Sequence, residues 1–416
     1  MHLAKHVMIA TCLFAASALH GQEITTTSAA RFQQDKFAIG FWVDPPADDK
    51  MEQRYREIAD ANFTLVVGGF GAERQITRQL ELCEQFGMKA LVAVPGKDVA
   101  KSAPDHPALW GYLWNDEPSA ADFPKLTSDV LQIRSLRPGK LTFINLLPNY
   151  APAHALGTAT YEEHVRRFVN EVKPDVLSMD HYPQFLPDRK RDMRQSYLDC
   201  VGVLRTESLR AGIPYWNFFN TMPYGPHTDP TEGQLRWQIF ATLAHGAKGV
   251  LWFCYYTPGG HEFPKGGAII GRDDKPTRHY DQARRINAEL KNLGPTLMKL
   301  TSTRVAHVVR PEKGETVETT APLLGGPIVS ISGQPKPDCL VGEFTHADGR
   351  RAALLMNYDF AYTSWPTVEF SAPAASITEI DKATGQEIPL HDDSPALPGI
   401  QLSLDAGDGR LFLLPK

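Results

Sequence analysis

The chain has 416 residues, of which 42% are hydrophobic and 22% are charged, and its formal net charge is -5. This ordinary globular composition is long enough for one large domain and one smaller domain. The mild acidity and the lack of a Lys/Arg run argue against nucleic acid as a partner. No segment after the N-terminal region reaches about 18 unbroken apolar residues, so no stable membrane insertion is expected.

The first residues have the pattern of a secretory signal peptide, which we predict over residues 1–22. A short positive segment precedes the apolar run HVMIATCLFAASAL, and small residues follow it up to Gly21. The protein is therefore expected to be secreted or periplasmic. The four cysteines beyond this segment show no CxxC or metal-type spacing, which argues against a disulfide scaffold.

From about Lys36 onward, strand-like and helix-like segments alternate with regular spacing. Apolar runs predict eight strands, and segments between them place apolar residues on one helical face. The predicted strands cover residues 38–46, 63–70, 88–96, 108–118, 140–149, 175–183, 213–221 and 249–258. This repetition predicts an α/β fold, a (β/α)8 TIM barrel, over residues 23–302. A nucleotide-binding open sheet is disfavoured because no glycine-rich phosphate-binding motif follows any strand.

After about Thr301 the pattern changes to alternating polar and apolar residues. Two apolar segments flank Asp348 and Gly349, and such a pair is a hairpin signal. Residues 303–416 are therefore predicted to form a small all-β sandwich domain.

The predicted barrel brings the C-terminal ends of its strands to one rim, where barrel enzymes carry their active sites. In the stretch GYLWNDEPS, residues 111–119, an apolar strand ends in two adjacent carboxylates, which are therefore predicted to lie at this rim. Amides and acids bind hydroxyl groups, aromatic rings pack on sugars, and paired acids can cleave a glycosidic bond. The candidate substrate-binding residues are Trp42, Asp44, Trp114, Asn115, Asp116, Asn145, His181, Tyr182, Trp216, Asn217, Asn220, Trp252 and Tyr255.

Four segments carry a family resemblance: GYLWNDEP, DHYP, LAHGAKGVLWFCYYTP and GRDDKPTRHYDQARRIN. The chain resembles retaining glycoside hydrolases of the β-galactosidase-like superfamily called clan A, in particular secreted bacterial β-galactosidase-like proteins. The resemblance implies a glycoside hydrolase acting on an oligo- or polysaccharide, without a cofactor. It also implies that Glu117 is the general acid/base. Desolvation beside Trp114 and the charge of Asp116 would raise the pKa of Glu117.

The sequence departs from the clan A pattern at two points. Asp116 precedes the acid where clan A enzymes usually have Asn, and the seventh predicted strand, IPYWNFFNT, lacks the family's nucleophilic Glu. Asp180, at the end of the sixth strand, is the favoured second carboxylate because partner groups accompany it there. A metal-dependent hydrolase is disfavoured, because such a site typically needs an HxH ligand pair at the end of the first strand and FWVDPP has none.

Three alternatives to this pairing stay open. In substrate-assisted hydrolysis of the hexosaminidase type, Asp116 would orient the substrate's acetamido group and Glu117 would be the acid. In an inverting mechanism, Asp44 or Asp180 would activate water. Outside enzyme chemistry, the missing acid on the seventh strand favours a non-catalytic carbohydrate-binding barrel.

Overall fold

The structure, a computed structural model, describes residues 30–68, 73–93, 98, 103–186, 192–309, 323–333 and 336–416. The predicted signal peptide lies outside these described residues. Within them, no helix combines the length and the apolar character that crossing a lipid bilayer requires.

Eight parallel strands form the first part of the fold. They are β1 (Ala38–Phe41), β2 (Leu65–Gly68), β3 (Lys89–Ala93), β4 (Leu109–Asp116), β5 (Leu141–Asn145), β6 (Leu177–Asp180), β7 (Tyr215–Asn220) and β8 (Gly249–Phe253). The main helices described between and after them are α1 (Met51–Asp60), α2 (Glu73–Gln85), α3 (Phe123–Leu136), α4 (Tyr161–Val172), α5 (Arg194–Ala211), α6 (Glu232–Ala244) and α7 (Arg278–Leu297). Short helical turns cover Ala120–Asp122 and Ala153–Leu156.

The eight strands form two four-stranded parallel sheets, in the orders β1-β8-β7-β6 and β2-β3-β4-β5. Hydrogen bonds link the two sheets at both seams. The Thr64 amide, just before β2, donates to the Ile39 carbonyl of β1 at 2.9 Å. The Leu146 amide, just after β5, donates to the Ser178 carbonyl of β6, also at 2.9 Å. This arrangement fits a (β/α)8 barrel.

Each barrel strand is buried on both faces. Its inward side chains form an aromatic interior in which Trp216 stacks near Trp110 and Phe143, with ring centroids 6.1 and 5.6 Å apart. Its outward side chains, such as Trp252, pack under the helices. Double burial explains why the strands appear in the sequence as near-continuous apolar runs.

The C-terminal part consists of two antiparallel sheets. Its strands are β9 (Leu300–Val308), β10 (Ile328–Ser332), β11 (Cys339–His346), β12 (Arg351–Asn357), β13 (Thr367–Phe370), β14 (Thr378–Ile380), β15 (Glu387–Pro389), β16 (Ile400–Gln401) and β17 (Gly409–Leu414). The six-stranded sheet has the order β15-β14-β17-β12-β11-β9, and the three-stranded sheet has the order β10-β13-β16. A shared core, with Ile331 and Val368 from one sheet and Val341 and Leu355 from the other, makes this part an all-β sandwich.

The six-stranded sheet packs against the barrel with its second face. Leu354 and Leu411 on this face belong to the same hydrophobic core as Leu243 of α6. Strand β11 approaches α6 so closely that a Cβ atom on Gly342 would lie 2.2 Å from the Ala244 carbonyl oxygen. Only glycine fits this contact without a shift of backbone, so the close packing depends on that residue.

Candidate active site

The end of β4 bends at the point where its carboxylates begin. Opposite β5, Leu113 pairs with Phe143 and Asn115 with Ile144, so Trp114 is an extra residue in a β-bulge. Glu117, two residues beyond the bulge pairing, has a φ of +50°, in the left-handed region. For a residue with a Cβ atom this conformation costs roughly 1–2 kcal/mol. Strain of this kind is concentrated at functional sites, and here it falls on an acid at the barrel rim.

Asn145 connects the carboxylates of Asp116 and Asp180. Its Nδ2 donates to Asp116 Oδ1 at 3.2 Å and to Asp180 Oδ1 at 3.3 Å. Its Oδ1 accepts a hydrogen bond from Ser178 Oγ at 2.9 Å, which fixes the orientation of the amide. Asp180 is buried, whereas Asp116 is open to solvent. The ends of β4, β5 and β6 therefore meet in one polar cluster.

The carboxyl groups of Glu117 and Asp180 lie within hydrogen-bonding reach of each other. Desolvation and the charge of Asp116 raise the pKa of Glu117, and the hydrogen bond to Asp180 partly offsets this. Desolvation and the charges of Glu117 and Asp116 raise the pKa of Asp180 well above its usual range. Two acids at this separation cannot both ionise at low cost, so they share one proton.

Asp116 completes a group of three carboxyls. Its side chain is solvent-accessible, but protein surrounds it on most sides, and this desolvation raises its pKa. Among the described residues, no Lys, Arg or His forms an ion pair with Asp116, Glu117 or Asp180. The carboxyls raise one another's pKa values, since the charge of Asp116 acts on Glu117 and the charges of Glu117 and Asp116 act on Asp180.

The raised pKa of Asp180 makes stability depend on pH. An unfolded Asp loses its proton near pH ~4, whereas folded Asp180 keeps it to higher pH. Because the folded state then binds more protons, the free energy of unfolding falls as pH rises through this window. Asp180→Asn cannot titrate, so we expect its free energy of unfolding, relative to the wild type, to increase from pH 4 upward. Urea unfolding at a series of pH values measures this difference.

Asp273→Asn is the matched control, because its side chain lies on the surface and is 63% exposed. Its stability curve should follow that of the wild type. Curves for Asp180→Asn and the wild type that stay parallel across the range would show that Asp180 is ionised in the folded protein.

Aromatic side chains surround the carboxyl cluster. Tyr150 is 37% exposed, and its hydroxyl is hydrogen-bonded to the Tyr182 backbone. Desolvation raises the pKa of Tyr150, and the charges of Asp180 and Glu117 raise it further. The Tyr182 side chain is hydrogen-bonded to Asp180. Tyr182 also packs against Tyr224 and Phe253, with ring centroids 5.8 and 5.3 Å apart. These rings supply the flat apolar surface beside the acids.

Three of these aromatic residues, Tyr150, Tyr224 and Phe253, were missed by the sequence analysis. Tyr150 follows the predicted fifth strand by one residue, and Tyr224 lies in the connection after β7. The adjacent aromatic residue of the PNY segment at 148–150 was the available signal for Tyr150. No local sequence pattern identified Tyr224, because its position beside Tyr182 results from the path of its loop in the folded protein. His227 beside it is buried, which lowers its pKa to about 4 and keeps it neutral.

Several predicted substrate-binding residues face the helices instead of the barrel mouth. The Trp114 indole donates to Asp129 of α3 at 3.1 Å, and the Trp252 indole donates to Asn287 of α7, also at 3.1 Å. Asn217 donates to the Tyr197 hydroxyl at 2.6 Å. These three residues occupy outward positions of their strands, where alternate side chains point away from the interior. The structure therefore does not bring these three predicted residues together with the carboxyl cluster.

Other predicted contacts are part of the packed structure. Trp216 lies inside the barrel, at the end opposite the carboxyl cluster. Its indole N–H donates to Gln34 Oε1 at 3.0 Å. Tyr255 packs between Phe41 and Phe63 and is buried. Asn220 is fully buried and donates to the Thr228 carbonyl at 3.1 Å. All three have these packing contacts, and the structure does not bring them together with the carboxyl cluster.

The remaining predicted residues lie around the edge of the site. His181 is buried against Tyr197 of α5, with Nε2 3.2 Å from Ser196 Oγ, so it lies behind the strand end. Asp44 lies against Gly68 of β2, and its charge adds to the desolvation that raises the pKa of Cys83 in α2. Trp42 packs edge-to-face on Phe218 and borders the aromatic surface. Asn115 is half-buried beside Asp116.

The comparisons with known proteins bear on the fold. The sequence matches no protein-family model, and no curated protein sequence matches it. Gan42B, a GH42 β-galactosidase from G. stearothermophilus, is similar in structure, with a TM-score of 0.58, 10% identity, and 92% of this chain and 99% of that chain covered. The β-galactosidase from Bacillus circulans sp. alkalophilus has a TM-score of 0.55, 10% identity, and coverage of 91% and 99%.

Other β-galactosidases are matched over part of their length. For the enzyme from Rahnella sp. R3 the TM-score is 0.50 at 12% identity, with 66% of this chain and 58% of that chain covered. The match likewise spans 60% of the β-galactosidase from Marinomonas ef1, again less than two thirds. The similarities with TM-scores of 0.50 to 0.58 bear on the fold alone, a parallel-stranded α/β part followed by a β domain.

Proposed function

We propose that the protein is a secreted glycoside hydrolase that cleaves a glycosidic bond in an oligo- or polysaccharide. The observation that carries this proposal is the hydrogen-bonded carboxyl pair of Glu117 and Asp180 at the strand ends of the barrel. The fold shared with β-galactosidases supports the same activity. The signal-peptide pattern of residues 1–22 supports secretion.

The separation of the two carboxyls favours a retaining mechanism. Retaining glycosidases hold their carboxyl groups about 5–5.5 Å apart, whereas inverting enzymes need about 6.5–9.5 Å to admit a water molecule. Two carboxyls within hydrogen-bonding reach are nearer to the retaining arrangement. We therefore assign a double displacement through a covalent glycosyl-enzyme.

In the first step, Glu117 donates the proton of the pair to the glycosidic oxygen as that oxygen leaves. Asp180, now a carboxylate, attacks the anomeric carbon, so a new C–O bond forms as the glycosidic bond breaks. Asn145 Nδ2, which donates to Asp180 Oδ1, stabilises this carboxylate before the attack. Glu117 is the more solvent-open of the two acids, which suits a group that exchanges protons.

In the second step, Glu117 is the base. It takes a proton from a water molecule whose oxygen attacks the anomeric carbon, and the bond to Asp180 breaks. The products are the free sugar with its original anomeric configuration and the carboxyl pair with its single shared proton restored. Asp116, held by Asn145 beside the pair, helps to keep the pKa of Glu117 high enough for acid catalysis near neutral pH.

A panel of aryl β- and α-glycosides, including N-acetylhexosaminides, together with neutral oligosaccharides tests the proposal. Proton NMR identifies the anomer formed first by the purified mature protein. Retention with substrates that lack an acetamido group is the expected result. Turnover restricted to acetamido sugars would replace Asp180 by the substrate's own nucleophile. An inverted first product would contradict the double displacement. Binding of oligosaccharides without any hydrolysis would favour the non-catalytic barrel.

A further inference from the structure

A polar groove on the β-sandwich lies away from the carboxyl cluster of the barrel. Its volume is about 460 Å³, and we call it the sandwich groove. It is lined by Trp365, Glu379, Asp381, Lys382, Asp393, Ser403, Asp405, Asp408 and Arg410. Small-molecule sites have volumes of roughly 300–1,000 Å³, so the groove is large enough for a ligand of one or two sugar rings.

One large aromatic ring stands out on the wall of this groove. The Trp365 side chain is 53% exposed, although full burial of a large aromatic side chain would contribute roughly 1.5–3 kcal/mol. Tyr362, three residues earlier in the same connection, is 74% exposed. Exposed aromatic rings next to polar groups are typical of binding surfaces. The sandwich therefore presents a flat apolar face to solvent.

Paired backbone holds Trp365 in place. The Ser364 amide donates to the Leu404 carbonyl at 2.8 Å, and the Leu404 amide donates back at 2.9 Å. On the other side, the Leu402 amide donates to the Pro366 carbonyl at 3.0 Å. The backbone around Trp365 is already ordered by these bonds. Little conformational entropy is therefore lost there when a ligand packs on the ring, which favours binding.

The floor of the groove is preorganised by ion pairs. Arg410 donates to Glu379 Oε1 at 2.8 Å and to Asp393 Oδ2 at 2.6 Å, and the Ser403 amide donates to the same Asp393 oxygen at 2.7 Å. Lys382 binds Asp408. Asp405 is exposed at the edge. Carboxylates in fixed positions accept hydrogen bonds from hydroxyl groups, which is the polar half of sugar recognition.

The charge of the groove narrows the class of ligand. Five carboxylates line it, against two cationic side chains, Lys382 and Arg410. Both cations are already paired with carboxylates, so the described lining residues offer no free positive group for an anion. A phosphorylated, sulfated or uronic-acid chain would be repelled. An uncharged chain rich in hydroxyl groups meets no such penalty.

We propose that the sandwich groove is a second carbohydrate-binding site, which takes a neutral polysaccharide with one sugar ring stacked on Trp365 and hydroxyl groups on the neighbouring carboxylates. The site is distinct from the barrel mouth and needs no catalysis to bind. Its role is to hold a polymer on the protein while the barrel acts on the same chain, and only this role rests on the proposed function.

Affinity electrophoresis in native gels tests the binding. The gels contain a neutral soluble polysaccharide, galactan, galactomannan or mixed-linkage glucan, and polygalacturonate is the acidic comparison. We expect at least one neutral polymer to retard the protein and polygalacturonate not to. Trp365→Ala should raise the apparent dissociation constant at least tenfold. Leu397→Ala, which changes an exposed apolar residue outside the groove, should leave it unchanged.

Asp405→Ala is measured in parallel and should weaken retardation at least threefold, without touching the packed ring. Hydrolysis of a small aryl glycoside should be unaffected by Trp365→Ala, whereas hydrolysis of the polymer should slow. Equal retardation of the wild type, Trp365→Ala and Asp405→Ala, or no retardation by any neutral polymer, would overturn the second site. Retardation that depends on Trp365 in a protein that hydrolyses nothing would leave the groove intact and remove only the proposed hydrolase.

Discussion

Glu117→Gln is expected to lower kcat for unactivated glycosides about 10²–10⁴-fold, the usual contribution of a positioned acid. A dinitrophenyl glycoside needs no proton on its leaving group, so its first step should survive the change and the glycosyl-enzyme should accumulate. Asp180→Ala should abolish turnover of both kinds of substrate, because the attacking oxygen is gone. Steady-state and burst kinetics on matched pairs of substrates measure the difference.

External azide separates the two roles further. In Glu117→Ala, azide should attack the glycosyl-enzyme and give a glycosyl azide of retained configuration. In Asp180→Ala, azide should attack the substrate directly and give the opposite anomer. Asp44→Asn is the matched control, because Asp44 lies three residues after β1 and packs against Gly68 of β2, and its activity should stay within about threefold of the wild type. Loss of activity in Asp44→Asn together with an active Asp180→Ala would transfer the second carboxylate to Asp44.

Trp216→Ala is expected to lower the free energy of unfolding by about 3–5 kcal/mol, the usual cost of removing a large buried aromatic side chain. Trp216 is fully buried, stacks on Trp110 and Phe143, and donates to Gln34 within the barrel. Guanidinium unfolding measures this cost. KM for any substrate that the wild type hydrolyses should change little under conditions in which the variant is folded.

Trp42→Ala is the comparison for Trp216→Ala, since Trp42 is partly exposed beside the aromatic surface. Its loss of stability should be smaller, and its effect on KM should be larger. A stable Trp216→Ala protein with a strongly raised KM would return Trp216 to the substrate site.

The contrast between Trp216 and Asp180 shows what the sequence could predict. The strands were predictable because both faces are buried, and their C-terminal ends were predictable from barrel geometry. Because both faces of each strand are apolar, the sequence does not show whether a given side chain points into the barrel or toward the helices. Outward Asn217 and Trp252 therefore looked equivalent to inward Asn145 and Asp180 in the sequence, and only the structure separates the two sets.

Two further features of the site were beyond sequence reasoning. The left-handed backbone of Glu117 comes three residues after a bulge at Trp114, and the residue types there do not indicate either feature. Tyr150 and Tyr224 reach the carboxyl cluster from connections whose path depends on tertiary packing. The motif GYLWNDEP predicted which strand end bears the acids, whereas the contact of Glu117 with Asp180 is a property of the closed arrangement of strands.

The six-stranded sheet has two hydrophobic cores, one on each face, and this has a consequence for how the protein melts. Leu354 faces the core that contains α6, while its neighbour Leu355 faces the three-stranded sheet. Separating the sandwich from the barrel would bare one face to water and leave the glycine contact at Gly342 empty. The stabilities of the two parts are therefore coupled. A barrel without the sandwich should aggregate through its uncovered apolar face, and the intact protein should unfold in a single cooperative thermal transition.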